Sequence, residues 1–189
     1  MSAASGRITD VDVAMDLMIH DVEVVQSLVK SPVINVEAAA VKTPDKPQGK
    51  DYITALLTFK NGVTATLTAS RITQARVRTL TVTTDTNYID MDFINQSINV
   101  HTQGRMPYLN PESIPAWMNY GLKGSMEQLF IPNGQPLALE QQHFIDCISG
   151  KATPRITGQD ALTALRVVWE VERKLGLLKT SESFLSQAA

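Results

Sequence analysis

The sequence predicts an α+β fold, an antiparallel sheet with helices packed on one face. Three features carry that reading. The hydrophobic period switches from helical to alternating at Pro32, alternating runs joined by short turns follow, and two capped helical segments close the chain. Neighbouring strands joined by short turns make an antiparallel meander, because a parallel pair needs a crossover of about a dozen residues or more.

Residues 1–8 read as a disordered stub. Thr9 and Asp12 have the spacing of a capping box, and no Gly or Pro interrupts the chain from Val11 to Val29. Ser31-Pro32 then closes the segment, since the residue before a proline resists the helical region. The spacing therefore predicts a helix over Asp12–Val29, with an apolar surface wide enough to leave it mostly buried. Val33–Val41, Asp51–Phe59, Val63–Ile72, Arg76–Thr84, Tyr88–Phe93 and Ser97–Thr102 read as strands. Asn61-Gly62, between two alternating runs, is the strongest hairpin signal.

The alternation has a chemical bias. In 63–70 one face carries Val63, Ala65, Leu67 and Ala69, and the other Thr64, Thr66, Thr68 and Ser70. Eleven of the eighteen threonines fall between residues 54 and 86, so one sheet face is apolar and the other a threonine lawn with few charges. Such a face is either solvated, threonine being a good strand former, or packed on another subunit's sheet.

Residues 103–135 break all periodicity with repeated Gly and Pro, yet carry Arg105, Tyr108, Trp117, Tyr120 and Lys123. A long irregular segment in a compact domain is a functional loop or a disordered one, and its aromatics argue against disorder. Within it, Met126–Ile131 reads as one more strand. Pro136 suits a first helical position, and Leu137–Ser149 ends at Gly150. Thr157 and Asp160 form a capping box for a last helix that runs to Gly176. Residues 9–178 make one domain, followed by a polar tail, 179–189.

Composition excludes several functions. The chain has 189 residues, enough for one domain with a sizeable core. Its net charge is −2, from 17 Lys+Arg against 19 Asp+Glu, which leaves no basic excess for nucleic acid or an anionic membrane. No apolar run approaches the roughly 18 residues that span a bilayer. The single cysteine, Cys147, permits no internal disulfide and fits a reducing, cytoplasmic compartment. No glycine pattern of the G-x-G-x-x-G or P-loop kind is present, so the chain carries no phosphate-cradling fingerprint.

The first helix holds the one constellation with chemical promise. Asp12, Asp16, His20, Glu23 and Ser27 fall at steps of four, four, three and four, making a polar stripe on an apolar rod. Asp16 and His20 share a face at i and i+4, within reach of each other or of one ligand. A histidine can exchange a proton near neutral pH, and a carboxylate beside it can orient the ring. Spacing alone favours the solvent side of an amphipathic helix, with Asp16 and His20 an incidental surface pair. His101 and His143 stand in no metal-ligand spacing, and Cys147 reads as a small core residue rather than a nucleophile.

Asp16-Leu-Met-Ile-His20-Asp21 resembles the D-x-x-x-H helix of the Gfo/Idh/MocA oxidoreductases, the glucose–fructose oxidoreductase and inositol dehydrogenase group. Leu139–Ile148 followed by Gly158-Gln-Asp-Ala-Leu162 is similar to that family's last two helices, and Arg78-Thr-Leu-Thr-Val82 to one of its strands. The resemblance runs from about residue 8 to 178. It implies the C-terminal domain of such an enzyme: an open, mostly antiparallel sheet with helices on one face, whose other face commonly pairs subunits into a homo-oligomer.

The resemblance also implies a function. Asp16 and His20 would face a sugar or nucleotide sugar, with His20 at the proton-transfer position and Asp16 holding the hydroxyl or orienting the histidine. Asp12 and, from the irregular segment, Arg105, Tyr108, Tyr120 and Lys123 would line the sugar site. The family's other half, a Rossmann domain with G-x-G-x-x-G and a lysine from a Glu-Lys-Pro motif, has no counterpart in this sequence. NAD or NADP is therefore expected in a full-length enzyme and not on this chain alone, which reads as an excised or truncated C-terminal half. A non-catalytic binding or assembly module, or a small-molecule sensor, is the alternative.

Overall fold

A computed structural model describes residues 11–42, 51–103, 124–131, 134–178 and 185. Its elements are a π-helical segment Ala14–Met18 leading into α1 (Ile19–Val29), seven strands, and two further helices, α2 (Pro136–Ile148) and α3 (Gly158–Lys174). The strands are β1 (Val33–Ala40), β2 (Tyr52–Phe59), β3 (Thr64–Ser70), β4 (Thr79–Thr83), β5 (Asn87–Asp92), β6 (Ser97–Gln103) and β7 (Gly124–Leu129). They form a three-stranded sheet, β1-β2-β3, and a four-stranded sheet, β4-β5-β6-β7, with every pairing antiparallel. The class is α+β, as the sequence predicts. The expected stub, the polar tail apart from residue 185, and most of the irregular segment lie outside the described residues.

The chain divides into two compact units, residues 1–74 with 153–189, and residues 75–152. In the first, β2 turns Ile53, Ala55, Leu57 and Phe59 inward, all fully buried, under Met18 and Val22 of the first helix and Val167, Val168 and Val171 of α3. Strand β1 puts both Val33 and Val36 into the same core although they are three residues apart. A register shift between Val33 and Asn35 accounts for it, because one extra residue in a strand reverses the side-chain phase. At the hairpin, Gly62 takes φ +87° and donates to the Phe59 carbonyl, the left-handed geometry that the Asn61-Gly62 pair suits.

The opposite face of this sheet is the expected threonine lawn. Thr64, Thr66 and Thr68 are exposed, and Thr54 and Thr68 stand across the ladder with their hydroxyls 3.2 Å apart. Leu56 and Ile34 are also exposed there or nearby, at 43% and 57%.

In the second unit, register lines up Leu80, Met91, Ile98 and Leu129 in one row and Val82, Ile89 and Val100 in another. Thr79, Thr81, Asp90, Asp92 and Asn99 occupy the alternate positions. At the β5–β6 turn, Asp92 Oδ1 accepts from the backbone N–H groups of Ile94 (2.8 Å) and Asn95 (3.1 Å). Bonds from the Asn95 backbone and side chain, then from Ile94, hold the Asp92 carboxyl below its ordinary pKa.

The first helix ends at Val29, as expected, and its C-cap Lys30 takes the left-handed region at φ 50° directly before Ser31-Pro32. Strand β4 begins at Thr79 rather than Arg76. No described helix is long and apolar enough to cross a membrane.

Candidate functional site

The start of the first helix is not the regular α-helix that its spacing suggests. Through Ala14–Met18 it is π-helical, and the Ile19 N–H reaches back to the Ala14 carbonyl, five residues away. A single wide turn of this kind is rare and occurs often at functional sites. Asp12, 7% exposed, caps the turn: its Oδ1 accepts from the N–H groups of Ala14 (2.9 Å) and Met15 (3.1 Å). Those two donors have no partner within the helix, and a buried carboxylate supplies one for both. Thr9, the other half of the expected box, lies outside the described residues.

Asp16 sits in the wide turn with its side chain 36% exposed, and His20 is exposed one turn further on. The carboxylate does not bond to the histidine. Its Oδ2 lies 2.8 Å from Nη2 of Arg71, the residue that follows β3. The same guanidinium donates from Nη1 to the Val11 carbonyl (2.7 Å) and from Nη2 to the Asp12 carbonyl (3.3 Å). The sheet fixes this arginine, because the Arg71 backbone N–H donates to the Asp51 carbonyl at 2.8 Å.

Of the remaining stripe, Ser27 returns its hydroxyl to the Val24 carbonyl (2.7 Å), a bond made within the helix. The structure thus brings Asp12, Asp16 and His20 together on one short stretch and adds Arg71, which sequence reasoning missed. Arg105, Tyr108, Tyr120 and Lys123 lie outside the described residues.

The other histidines stand elsewhere. His101 packs its ring against Tyr88 at 5.6 Å between centroids, and His143 Nε2 lies 3.6 Å from Cys147 Sγ on α2. Among the described residues no three His, Cys, Asp or Glu side chains converge as metal ligands would. A dinucleotide's pyrophosphate is taken by a glycine-rich turn between a parallel strand and a helix N-terminus. The described strands are all antiparallel, so these elements do not fit that group.

Comparisons with known proteins agree with the family resemblance. Residues 8–89 match the sequence model of the GFO/IDH/MocA C-terminal domain, a stretch that holds the π-helical turn, His20 and Arg71. The chain is 28% identical over 151 residues to UDP-N-acetylglucosamine 3-dehydrogenase of Acidithiobacillus ferrooxidans, covering 77% of this chain and 46% of that protein. A solved structure of that enzyme superposes with a TM-score of 0.73 at 27% identity, over 90% of this chain and 52% of the other. The aldose-aldose oxidoreductase of Caulobacter crescentus shares the fold, with a TM-score of 0.67 at 17% identity over 87% of this chain and 45% of its own. The chain spans about half the length of the relatives it matches.

Proposed function

We propose that this chain, matched over residues 8–89 to the C-terminal domain of the GFO/IDH/MocA oxidoreductases, is the substrate-binding half of an NAD(P)-dependent dehydrogenase acting on a sugar or nucleotide sugar. The observation that carries this is an Asp16 anchored by Arg71 in a π-helical turn, with an exposed His20 four residues on. The name of the curated relative, a UDP-sugar dehydrogenase, supports the nucleotide-sugar class.

Oxidising a secondary alcohol to a ketone removes a proton from oxygen and a hydride from carbon. Accepting the hydride is the dinucleotide's chemistry, and in this reading the dinucleotide is held by another domain. Accepting the proton falls to His20, whose neutral imidazole takes it from the hydroxyl. Asp16 has one oxygen committed to Arg71, and Oδ1 is left to accept from a neighbouring hydroxyl of the sugar and so fix the direction of the reacting one. Asp12 contributes by fixing the turn that presents Asp16. Arg105, Tyr108, Tyr120 and Lys123 complete the sugar site in this proposal.

The threonine face of β1-β2-β3 is the proposed contact between subunits of a homo-oligomer, supported by its exposed Leu56 and its scarcity of charge. The proposed compartment is the cytoplasm, supported by the single unpaired Cys147.

Joining an NAD(P)-binding domain of the family ahead of residue 1 and following nicotinamide reduction with a panel of sugars and UDP-sugars tests the function. Turnover with at least one of them, strongly lowered but still measurable on Asp16→Asn, is expected. A second arm titrates NADH into the chain alone by calorimetry. Tight binding there would contradict the division of labour, and sugar binding without turnover in the joined protein would favour a sensor.

A further inference from the structure

Arg71 touches the site from outside the helix, and its place there deepens the reading above and rests on it. Its two terminal nitrogens grip both sides of the wide turn: the Val11 and Asp12 carbonyls before it and the Asp16 carboxylate within it. We propose that Arg71 is a positioning residue, which holds the π-helical turn and Asp16 in one arrangement and keeps the carboxylate off His20, so that the two groups meet the substrate separately.

Four features support this. A π-turn is a poorer arrangement than an α-turn, so it persists where something outside the helix holds it. The arginine is anchored at its own backbone by Asp51 and its side chain is only 18% exposed, so its end cannot wander. Its planar fork reaches a carboxylate and two carbonyls at once, which the point charge of a lysine cannot do. Its Nε is buried without a partner among the described residues, so the grip shown falls to the two terminal nitrogens.

The test measures kcat and KM in the full chain joined to a dinucleotide-binding domain, for Arg71→Ala, Arg71→Lys, Asp16→Asn and the double variant Arg71→Ala/Asp16→Asn. Misplacing a reacting group by about an ångström costs about a hundredfold, so Arg71→Ala is expected to lower kcat by about that factor and to move KM less than about threefold. Arg71→Lys keeps the ion pair but not the fork and is expected to fall only about tenfold. A residue acting through Asp16 has nothing left to position in Asp16→Asn, where Arg71→Ala is expected to add less than about a twofold loss. An undiminished loss in that background, or an unchanged kcat in Arg71→Ala, overturns the positioning role alone. Asp16→Asn and His20→Ala both silent on turnover overturn the functional reading as well. If Arg71→Ala does not fold, Arg71→Lys decides: wild-type kcat in that variant overturns the proposal.

Discussion

Asp12, Asp16, His20 and Arg71 divide the work of one short stretch of chain. Asp12 is buried and spends its carboxylate on two orphan helix donors, so Asp12→Ala is expected to destabilise the fold by about 1–2 kcal/mol. Urea denaturation of the folded chain checks this, and Asp12→Asn, which keeps the acceptor, is expected to lose less. That Asp16 and His20 stand four residues apart on one helical stretch was legible in the sequence, because no Gly or Pro interrupts it. Arg71 was not, because its bond to Asp16 joins residues 55 apart and depends on β3 ending beside the helix start. The capping of Ala14 by Asp12 was half legible: the sequence showed a cap, but assigned it to a box with Thr9.

Among the elements, α3 opens with the cleanest local signal. Thr157 Oγ1 donates to Asp160 Oδ2 (2.6 Å), the Thr157 N–H donates to the same oxygen (2.8 Å), and the Asp160 N–H returns to Thr157 Oγ1 (3.3 Å). The Thr157 hydroxyl and then its backbone N–H hold the Asp160 carboxyl below its ordinary pKa. A carboxyl depressed in the folded state stabilises it above the unfolded value, and that stabilisation fades as pH falls through the folded one. Asp160→Asn is therefore expected to lower the thermal midpoint at pH 7, with the difference from wild type shrinking below about pH 4. Thermal unfolding at both pH values checks it. Capping boxes are read easily because both partners lie within one turn. The bulge in β1 and the π-turn before α1 are harder, since each adds one residue to a pattern that still contains apolar side chains at acceptable steps. In β3 the alternation named Leu67 and Ala69 among the inward residues, and both are buried; in β2 burial also alternates strictly, and Phe59→Ala there is expected to cost about 3–5 kcal/mol in denaturant.

At the scale of the whole molecule, binary patterning was enough for the α+β class and the antiparallel pairing. It did not show that the strands fall into a sheet of three and a sheet of four, because a turn between β3 and β4 reads alike whether or not the two strands pair. The proposed subunit contact belongs to this scale too. Thr66→Glu on the outer face is expected to shift a homo-oligomer towards monomer in sedimentation velocity while leaving the thermal midpoint of the fold nearly unchanged, since like charges would then meet across the interface. The central proposal, that His20 accepts the substrate proton, has a direct measurement: kcat for nicotinamide reduction by His20→Ala in the chain joined to a dinucleotide-binding domain of the family. Loss of a general base is expected to lower kcat by about 100- to 10,000-fold with KM little changed. A kcat equal to that of the unsubstituted protein would contradict the account.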